Sequence, residues 1–372
     1  MKIGVIGDAH LGTTDFSAKR RADFSAAFMN GIDLCFRHGA EVICLLGDVF
    51  DSAATRRDVD AFAEIIKEIS PALNRLQDED IPLVAIPGNH EFGRGREAGE
   101  LSALESLGFL RVLRGTEFCV GNVGICGVPW QQDPSGVARI ATRLRESCKA
   151  PTKILLLHNF IHESRSIPSH LWEVPLAVAD GFDKVFVGHH HVYESIANCV
   201  VPGSTEVQNM RDQSEKCVVV YDSESRDLKR LALPRTHPVI LLRYDASDCA
   251  PQELLATIAR DLGEPHGGRG AFVYVEISGT IKAGQSLSRA EILSLLRERD
   301  LFDYFVDLRY STETKTAAQA SQRGSSIDNV LRASFKGRDF WKARRYLAYS
   351  DDEELFTVIR EEILSGHYEP KT

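Results

Sequence analysis

Through the first 191 residues, short apolar runs rich in β-branched side chains alternate with longer stretches whose apolar positions recur every three or four residues. The short runs are Val5-Ile6, Val42 to Leu46, Leu83 to Ile86, Ile154 to Leu157 and Val185 to Val187. Bounded by Gly or Pro, they read as buried strands. Between them, helices are predicted over about Ala18 to Arg37 and Thr55 to Leu76, and a third opens at Asp133-Pro134, a side-chain cap followed by proline at the first helical position. The stripe Val59, Phe62, Ile66, Ile69 and Leu73 is most simply core packing. This alternation predicts an α/β domain over residues 1–235, with helices covering a mostly parallel arrangement of strands.

The pattern changes further on. From about Pro238 to Tyr310 it reads strand, helix, strand, helix, strand, with strands at Val239 to Tyr244 and Ala271 to Ile277, a helix at Gln252 to Leu262, and another opened by Ser288 with Glu291 three residues on as a capping box. Residues 236–310 are therefore expected to form a second, small α/β domain. Residues 311–326 are rich in Ser, Thr, Gln, Ala and Gly and read as a linker. Residues 327–372 follow as short amphipathic helices. Their Phe335, Phe340, Trp341, Tyr346, Leu355, Phe356, Ile359 and Ile363 are more apolar surface than such a tail can easily bury alone, so it either docks on a partner or folds back on its own chain.

Candidate chemistry sits where the strands stop. Asp8 and His10 follow the first run, Asp48 the second, Asn89 and His90 the third, His158 the fourth, and His189, His190 and His191 the fifth. In sheets of this kind the carboxyl ends of the strands are where ligands bind, so one rim would receive every polar group. Asp8, His10, Asp48, Asn89, His158, His189 and His191 offer two carboxylates, one amide oxygen and four imidazoles. That mixed oxygen and nitrogen set suits manganese, iron or zinc better than calcium. One carboxylate, assigned to Asp48, can bridge two cations about 3.5–4 Å apart, the arrangement that clamps a phosphoryl group for in-line attack. Each motif alone has an ordinary explanation as a turn, a solvated loop or a satisfied core histidine. Five in succession, each ending an apolar strand, do not.

Asp8-x-His10, Gly47-Asp48, Gly88-Asn89-His90-Glu91, His158 and Gly188-His189-x-His191 resemble the calcineurin-like metallophosphoesterase superfamily. Three stretches make the chain most similar to its SbcD-type, or meiotic-recombination-eleven-like, nucleases: Gly7 to Gly12, Gly47 to Asp51, and Val201-Pro202-Gly203-Ser204-Thr205-Glu206. The resemblance implies a layered sheet sandwich flanked by helices, a small α/β capping domain beside the catalytic site, and a helical C-terminal tail that docks on the coiled-coil base of an SbcC-type ATPase. It implies two divalent metal ions, manganese foremost. Asp8, His10 and His191 would complete one shell with bridging Asp48, and Asn89, His158 and His189 the other. His90 would meet the scissile phosphate or protonate the leaving oxygen. The implied activity is a DNA exonuclease and endonuclease in double-strand-break repair, acting as a homodimer whose interface helices come from the Thr55–Leu76 region. Departures exist: Asp51 stands where many archaeal and eukaryotic members carry a histidine, and His190 is extra. A protein phosphatase or nucleotide phosphodiesterase on the same fold is the alternative, although a phosphatase would usually continue the Gly-Asp motif with Asp-Arg-Gly, and Asp51-Ser52-Ala53 does not. A scaffold with a decayed site is disfavoured by the complete ligand set.

Composition adjusts this reading in three places. At 372 residues, 43% hydrophobic and 26% charged, the chain is that of a globular protein with room for a large core and smaller units. The start Met1-Lys2-Ile3-Gly4-Val5 carries no signal-peptide pattern and no apolar run reaches spanning length, so a cytoplasmic location without membrane contact is expected. The net charge of −9 argues for weak DNA binding by this chain alone. Arg56 with Arg57, Arg94 with Arg96, and Lys19, Arg20 and Arg21 are the candidate backbone contacts, each more simply read as a solvated helix face. The eight cysteines lie without paired spacing, and several sit in apolar runs and read as buried thiols rather than as disulfides or a zinc knot.

Overall fold

In a computed structural model, residues 1–13, 17–51, 59–92, 99–161, 173–208, 210, 214–247, 249–263, 270–282 and 285–312 are described. The linker expected to 326 lies outside them from residue 313 on, as do the helical tail, Thr55, and the pairs Arg56 with Arg57 and Arg94 with Arg96. They pack as two units. One comprises Met1–Tyr244, Leu255–Ile277 and Ser288–Leu308; the other contains Asp245–Leu254, Ser278–Leu287 and residues 309–312.

The first unit holds the five strands predicted before residue 191 together with others that the hydrophobic pattern did not mark, divided between two sheets. In chain order they are β1 (Lys2–Ile6), β2 (Val42–Leu45), β3 (Leu83–Ala85), β4 (Arg111–Val112), β5 (Glu117–Val120), β6 (Val123–Val128), β7 (Thr152–Leu157), β8 (Lys184–Val187), β9 (Glu194–Ile196), β10 (Cys199–Val201), β11 (Cys217–Asp222) and β12 (Leu228–Ala232). One sheet runs β12-β11-β1-β2-β3-β4, the other β5-β6-β7-β8-β10-β9. Strands β1 to β4 are parallel to one another, as are β6, β7, β8 and β10; antiparallel strands close three of the four sheet edges, and parallel β4 forms the fourth.

The continuous apolar runs are explained by burial on both faces. Ile6, Ile43, Leu45 and Val218 point outward onto α1 (Arg21–Arg37) and α2 (Val59–Asp78), meeting Phe28, Ile32, Ile65, Ile69 and Leu73. Their neighbours Val5, Val42, Cys44 and Val219 point inward and pack against Ile125, Ile154, Leu156 and Phe186 of the second sheet. The outer face of that sheet, with Leu155, Leu157, Val185 and Val187, is covered by Val137, Ala141 and Leu144 of α4 (Pro134–Ser147). The result is a four-layered sandwich, helix on sheet on sheet on helix. A further short helix, α3 (Gly99–Ser106), buries Leu101 and Leu104 on the first sheet's outer core.

Local signals hold. Asp133 accepts a hydrogen bond from Ser135 N at 3.0 Å, capping α4 with Pro134 inside its first turn. In the predicted α2 stripe, Ile69 and Leu73 are buried and Phe62 and Ile66 half-buried against the core, while Val59's side chain lies outside the described residues. A third sheet, ordered β13-β14-β15, is formed by β13 (Val239–Asp245), β14 (Phe272–Ile281) and β15 (Asp303–Thr312), interleaved with α5 (Pro251–Asp261) and α6 (Arg289–Arg297). Glu291 accepts from Ser288 N at 3.3 Å, as the capping box requires. In the second unit, Thr280 Oγ1 meets Ser311 Oγ at 3.1 Å and the Tyr310 hydroxyl donates to Leu287 O at 2.6 Å. Strand pairing thus carries Ser311 and Thr312 two residues into the stretch that composition marked as linker. No helix among the described residues is long and apolar enough to cross a membrane.

Arg20 corrects one expectation. It is 1% exposed rather than on a solvated face, donating to Val207 O at 3.1 Å, lying 3.4 Å from Glu206 and stacking over Phe24 and Phe272. It is therefore no DNA contact. Of its neighbours, Arg21 pairs with Glu64, and Lys19 lies 3.7 Å from Asp303. Because Glu206 is buried as well, truncating Arg20 strands a carboxylate. Arg20→Ala is expected to destabilise the protein by about 3–5 kcal/mol in urea unfolding, and an Arg20→Met, Glu206→Gln double variant by clearly less. Equal losses in both would show that the pair is not what matters there.

Candidate metal centre

The five motif strands bring their polar groups together from both sheets. β1, β2 and β3 supply Asp8, His10, Asp48 and Asn89; β7 and β8 supply His158, His189 and His191. Asp8, His10 and His191 have ligand atoms within 4.8 Å of one another, and so do Asp48, His158 and His189, and also His10, Asp48 and His90. Asn89 joins them, with its Oδ1 3.1 Å from His158 Nε2. All seven sequence-assigned ligands are therefore in one place, with His90 at its edge.

Asp48 occupies the centre. Its Oδ2 lies 3.3 Å from His158 Nε2 and 3.9 Å from His10 Nε2, while Oδ1 accepts the His90 backbone N–H at 2.8 Å. A single carboxylate oxygen thus faces one imidazole of each group, as a bridge must. Asp8 accepts from His189 N at 3.1 Å on Oδ1; its Oδ2 is buried with no hydrogen-bond partner, 3.3 Å from His191 Nε2 but poorly aligned with it. His10 Nε2 and His191 Nε2 face each other at 3.3 Å. An orphaned carboxylate oxygen beside converging ring nitrogens is a donor set suited to a cation, so these residues fit divalent metal.

Neighbouring groups fix the ligands. His158 Nδ1 points at Leu46 O, which leaves Nε2 facing the site, the usual second anchor of a metal-binding imidazole. His10, Asp48 and His189 all adopt positive φ, at 46°, 47° and 76°. Such backbone costs of order 1–3 kcal/mol per residue and persists where the surroundings impose it. Gly88 is needed for close approach: a Cβ there would lie 2.2 Å from Asp48 Oδ1 and 2.3 Å from Asp48 N. The return loop after β10 seals the rim, Thr205 N donating to Asp8 O at 3.0 Å and Ser204 N to His191 O at 3.2 Å.

The electrostatics of these side chains are those of tightly packed opposite charges. Burial would raise the Asp48 and Asp8 carboxyls, but facing imidazoles, His158 for Asp48 and His191 with His158 for Asp8, hold both below their usual range. Burial would lower His158, yet Asp48 and Asp8 raise it to about 9. Burial prevails for His10 and His189, lowered to about 4 and about 3, which leaves them neutral and ready to ligate. His90 is 37% exposed, lies 3.5 Å from Asp51 through Nδ1, and is raised to about 9, Asp51 and Asp48 overcoming its partial burial. His190, which has no sequence-assigned role, sets its ring 6.4 Å from Phe160.

Sequence reasoning passed over Glu91. Fully buried, it accepts from Gly88 N at 2.7 Å and Asp48 N at 2.9 Å on Oε2, and from Phe50 N at 2.9 Å on Oε1. It therefore ties the Asp48 loop to the Asn89 loop. Burial, then the charge of Asp48, raises its carboxyl to about 7, against the pull of the amides. The available signal was a charged residue between a ligand turn and Phe92, where solvent exposure would be odd. Glu91→Gln turns one acceptor into a donor facing an N–H and is expected to cost about 1–3 kcal/mol in chemical denaturation while weakening metal retention. Unchanged stability would refute this role.

A match to the calcineurin-like phosphoesterase family covers residues 1–193, and the chain belongs to that family. It is thus a hydrolase of phosphoesters that uses divalent metal ions. Curated relatives include archaeal proteins each named DNA double-strand break repair protein Mre11. The one from Haloferax volcanii is 25% identical over 96% of this chain and 84% of its own length, and that from Sulfolobus acidocaldarius 21% identical over 97% and 95%. The one from Saccharolobus solfataricus is 26% identical over 50% of this chain and 48% of its own, so in that match the chain spans about half the relative.

Proposed function

We propose that this chain is a two-metal-dependent DNA nuclease, an exonuclease and endonuclease acting on DNA ends in double-strand-break processing. The observation that carries it is Asp48 Oδ2 facing His10 and His158 from a buried position between the two ligand groups. Asp8, His10, Asp48 and His191 would hold one cation, and Asp48, Asn89, His158 and His189 the other. When bound, the pair neutralises charge developing on a phosphoryl group. The protein's own contribution is to keep the donors rigid through Glu91, Leu46 and the return loop, and to offer His90 to the phosphate or the leaving oxygen. DNA as substrate is supported by the name shared by the archaeal relatives.

Manganese is the proposed metal, since the donors mix carboxylate, amide and imidazole. With a net charge of −9 the chain should bind duplex weakly alone, which fits a nuclease subunit working with an SbcC-type coiled-coil ATPase that supplies affinity. Residues 236–310 would act as the capping domain, residues 327–372 as the ATPase-binding tail after a linker, and the α2 region as the homodimer contact. The test is digestion of end-labelled duplex DNA with manganese, beside a chromogenic phosphodiester. Shortened labelled strands support the reading. Hydrolysis of the chromogen with intact DNA under every metal would point instead to a protein phosphatase or nucleotide phosphodiesterase.

A further inference from the structure

Away from the metal centre, a second set of metal-ligating side chains gathers on the outer face of the second sheet. β5 and β6 form an antiparallel pair in which Glu117 faces Cys126 and Cys119 faces Gly124. Alternate residues of a strand share a face, so Glu117, Cys119 and Cys126 lie side by side around the bare Cα of Gly124. Cys126 belongs to the cluster formed with Val137, Ala141, Leu144 and Cys148, which identifies this face as the one under α4. That helix ends at Ser147, and Cys148 caps it in an extended conformation. Its thiol fills the space that Gly124 leaves open: a Cβ at Gly124 would lie 2.3 Å from Cys148 Sγ and 3.9 Å from Cys119 Sγ.

The donors converge. A Glu117 carboxylate oxygen, Cys126 Sγ and Cys148 Sγ lie within 4.8 Å of one another, and this is the one such group among the described residues that shares no member with the metal centre. Glu117 Oε2 is buried and has no hydrogen-bond partner. A carboxylate oxygen held out of water beside thiols, which are weak donors, is costly unless something positive meets it.

We propose that Glu117, Cys119, Cys126 and Cys148 form a second site, for a thiophilic divalent cation of the zinc type. Sulfur donors select zinc-like ions over the hard cations that carboxylate and carbonyl sites favour. A tetrahedral site with zinc–sulfur bonds of about 2.3 Å sets sulfurs roughly 3.8 Å apart, a contraction of about 1 Å at most from the present spacing of the triad. Binding displaces one proton from each thiol to solvent, while Glu117 enters as carboxylate and no electron is transferred. Four protein donors leave no open position, so the site is structural. It fastens the edge hairpin β5–β6 to the end of α4. Cys148 precedes β7, whereas the candidate ligand His158 follows it, so this site sits at the opposite end of the sheet.

Cobalt(II) added to the reduced, metal-stripped full chain tests the proposal, because only thiolate ligands give the intense near-ultraviolet charge-transfer band and the seven ligands of the catalytic centre include no sulfur. One equivalent of band per chain is expected, persisting in His191→Ala and lost in Cys126→Ser and Cys148→Ser. Should either buried variant fail to fold, exposed Cys119→Ser serves: it should weaken or shift the band while leaving phosphodiester hydrolysis unchanged. Absence of the band in wild type, a band indifferent to all three cysteine variants, or a Cys126–Cys148 disulfide in unreduced protein would overturn the site.

Discussion

An Asp48→Asn variant is expected to lose nearly all phosphodiester hydrolysis, with kcat/KM falling about a thousandfold or more. Asp48 Oδ2 is the oxygen that faces both ligand groups, and an amide there has lost the charge that would hold two cations side by side. Metal-assisted charge neutralisation contributes several kcal/mol to phosphoryl transfer, and each ~1.4 kcal/mol is a factor of ten. Bound metal, counted by elemental analysis after gel filtration, should fall with activity. The fold should survive, since Asn can still accept the His90 N–H that Asp48 Oδ1 accepts now at 2.8 Å. Full activity, or full metal content without activity, would remove Asp48 from the bridging role.

His90→Ala should separate binding from chemistry. His90 is half-exposed at the edge of the centre, its Nδ1 turned to Asp51, and its ring stands edge-on to His10 at 4.6 Å. Turnover is expected to fall about 10²–10⁴-fold, the range of a lost proton-transfer group, with metal content close to wild type. The pH dependence has a definite sign. His90 is raised to about 9, so it carries its proton at neutral pH and loses it as pH climbs; a fall in kcat toward alkaline pH should be present in wild type and absent in His90→Ala. Bound cations repel that proton and would move the fall below 9, and Asp51→Asn would move it further the same way. A His90→Ala protein that loses its metals belongs to a ligand, and one with unchanged turnover to a bystander.

What the sequence disclosed follows from which forces act locally. β2 could be read from Val42 to Leu45 because strands covered on both faces need apolar residues at every position, and the caps at Asp133 and Ser288 are satisfied within their own first turns. The candidate ligands were legible because each stands within a few residues of a strand's carboxyl end. The division of the five motif strands into two stacked sheets was not, since β-branched runs look alike whichever sheet they join; only contacts such as Val5 with the second-sheet cluster decide it. Arg20 was misjudged because its partner, Glu206, is 186 positions away. The same distance problem hid the gathering at Gly124, where Cys119, Cys126 and Cys148 have no motif spacing and are joined by a hairpin register and a helix end.

The way the ligands are shared between the two sheets has a mechanical consequence. Each proposed cation takes donors from both halves of the sandwich: Asp8 and His10 with His191, and Asp48 and Asn89 with His158 and His189. With both cations held as proposed, prising the sheets apart would mean stripping them, and the ions would act as rivets through the laminate. At free metal one hundredfold above the dissociation constant, one rivet adds about 2.7 kcal/mol to the resistance of the folded state. A chelator would then soften the whole molecule as well as silence it.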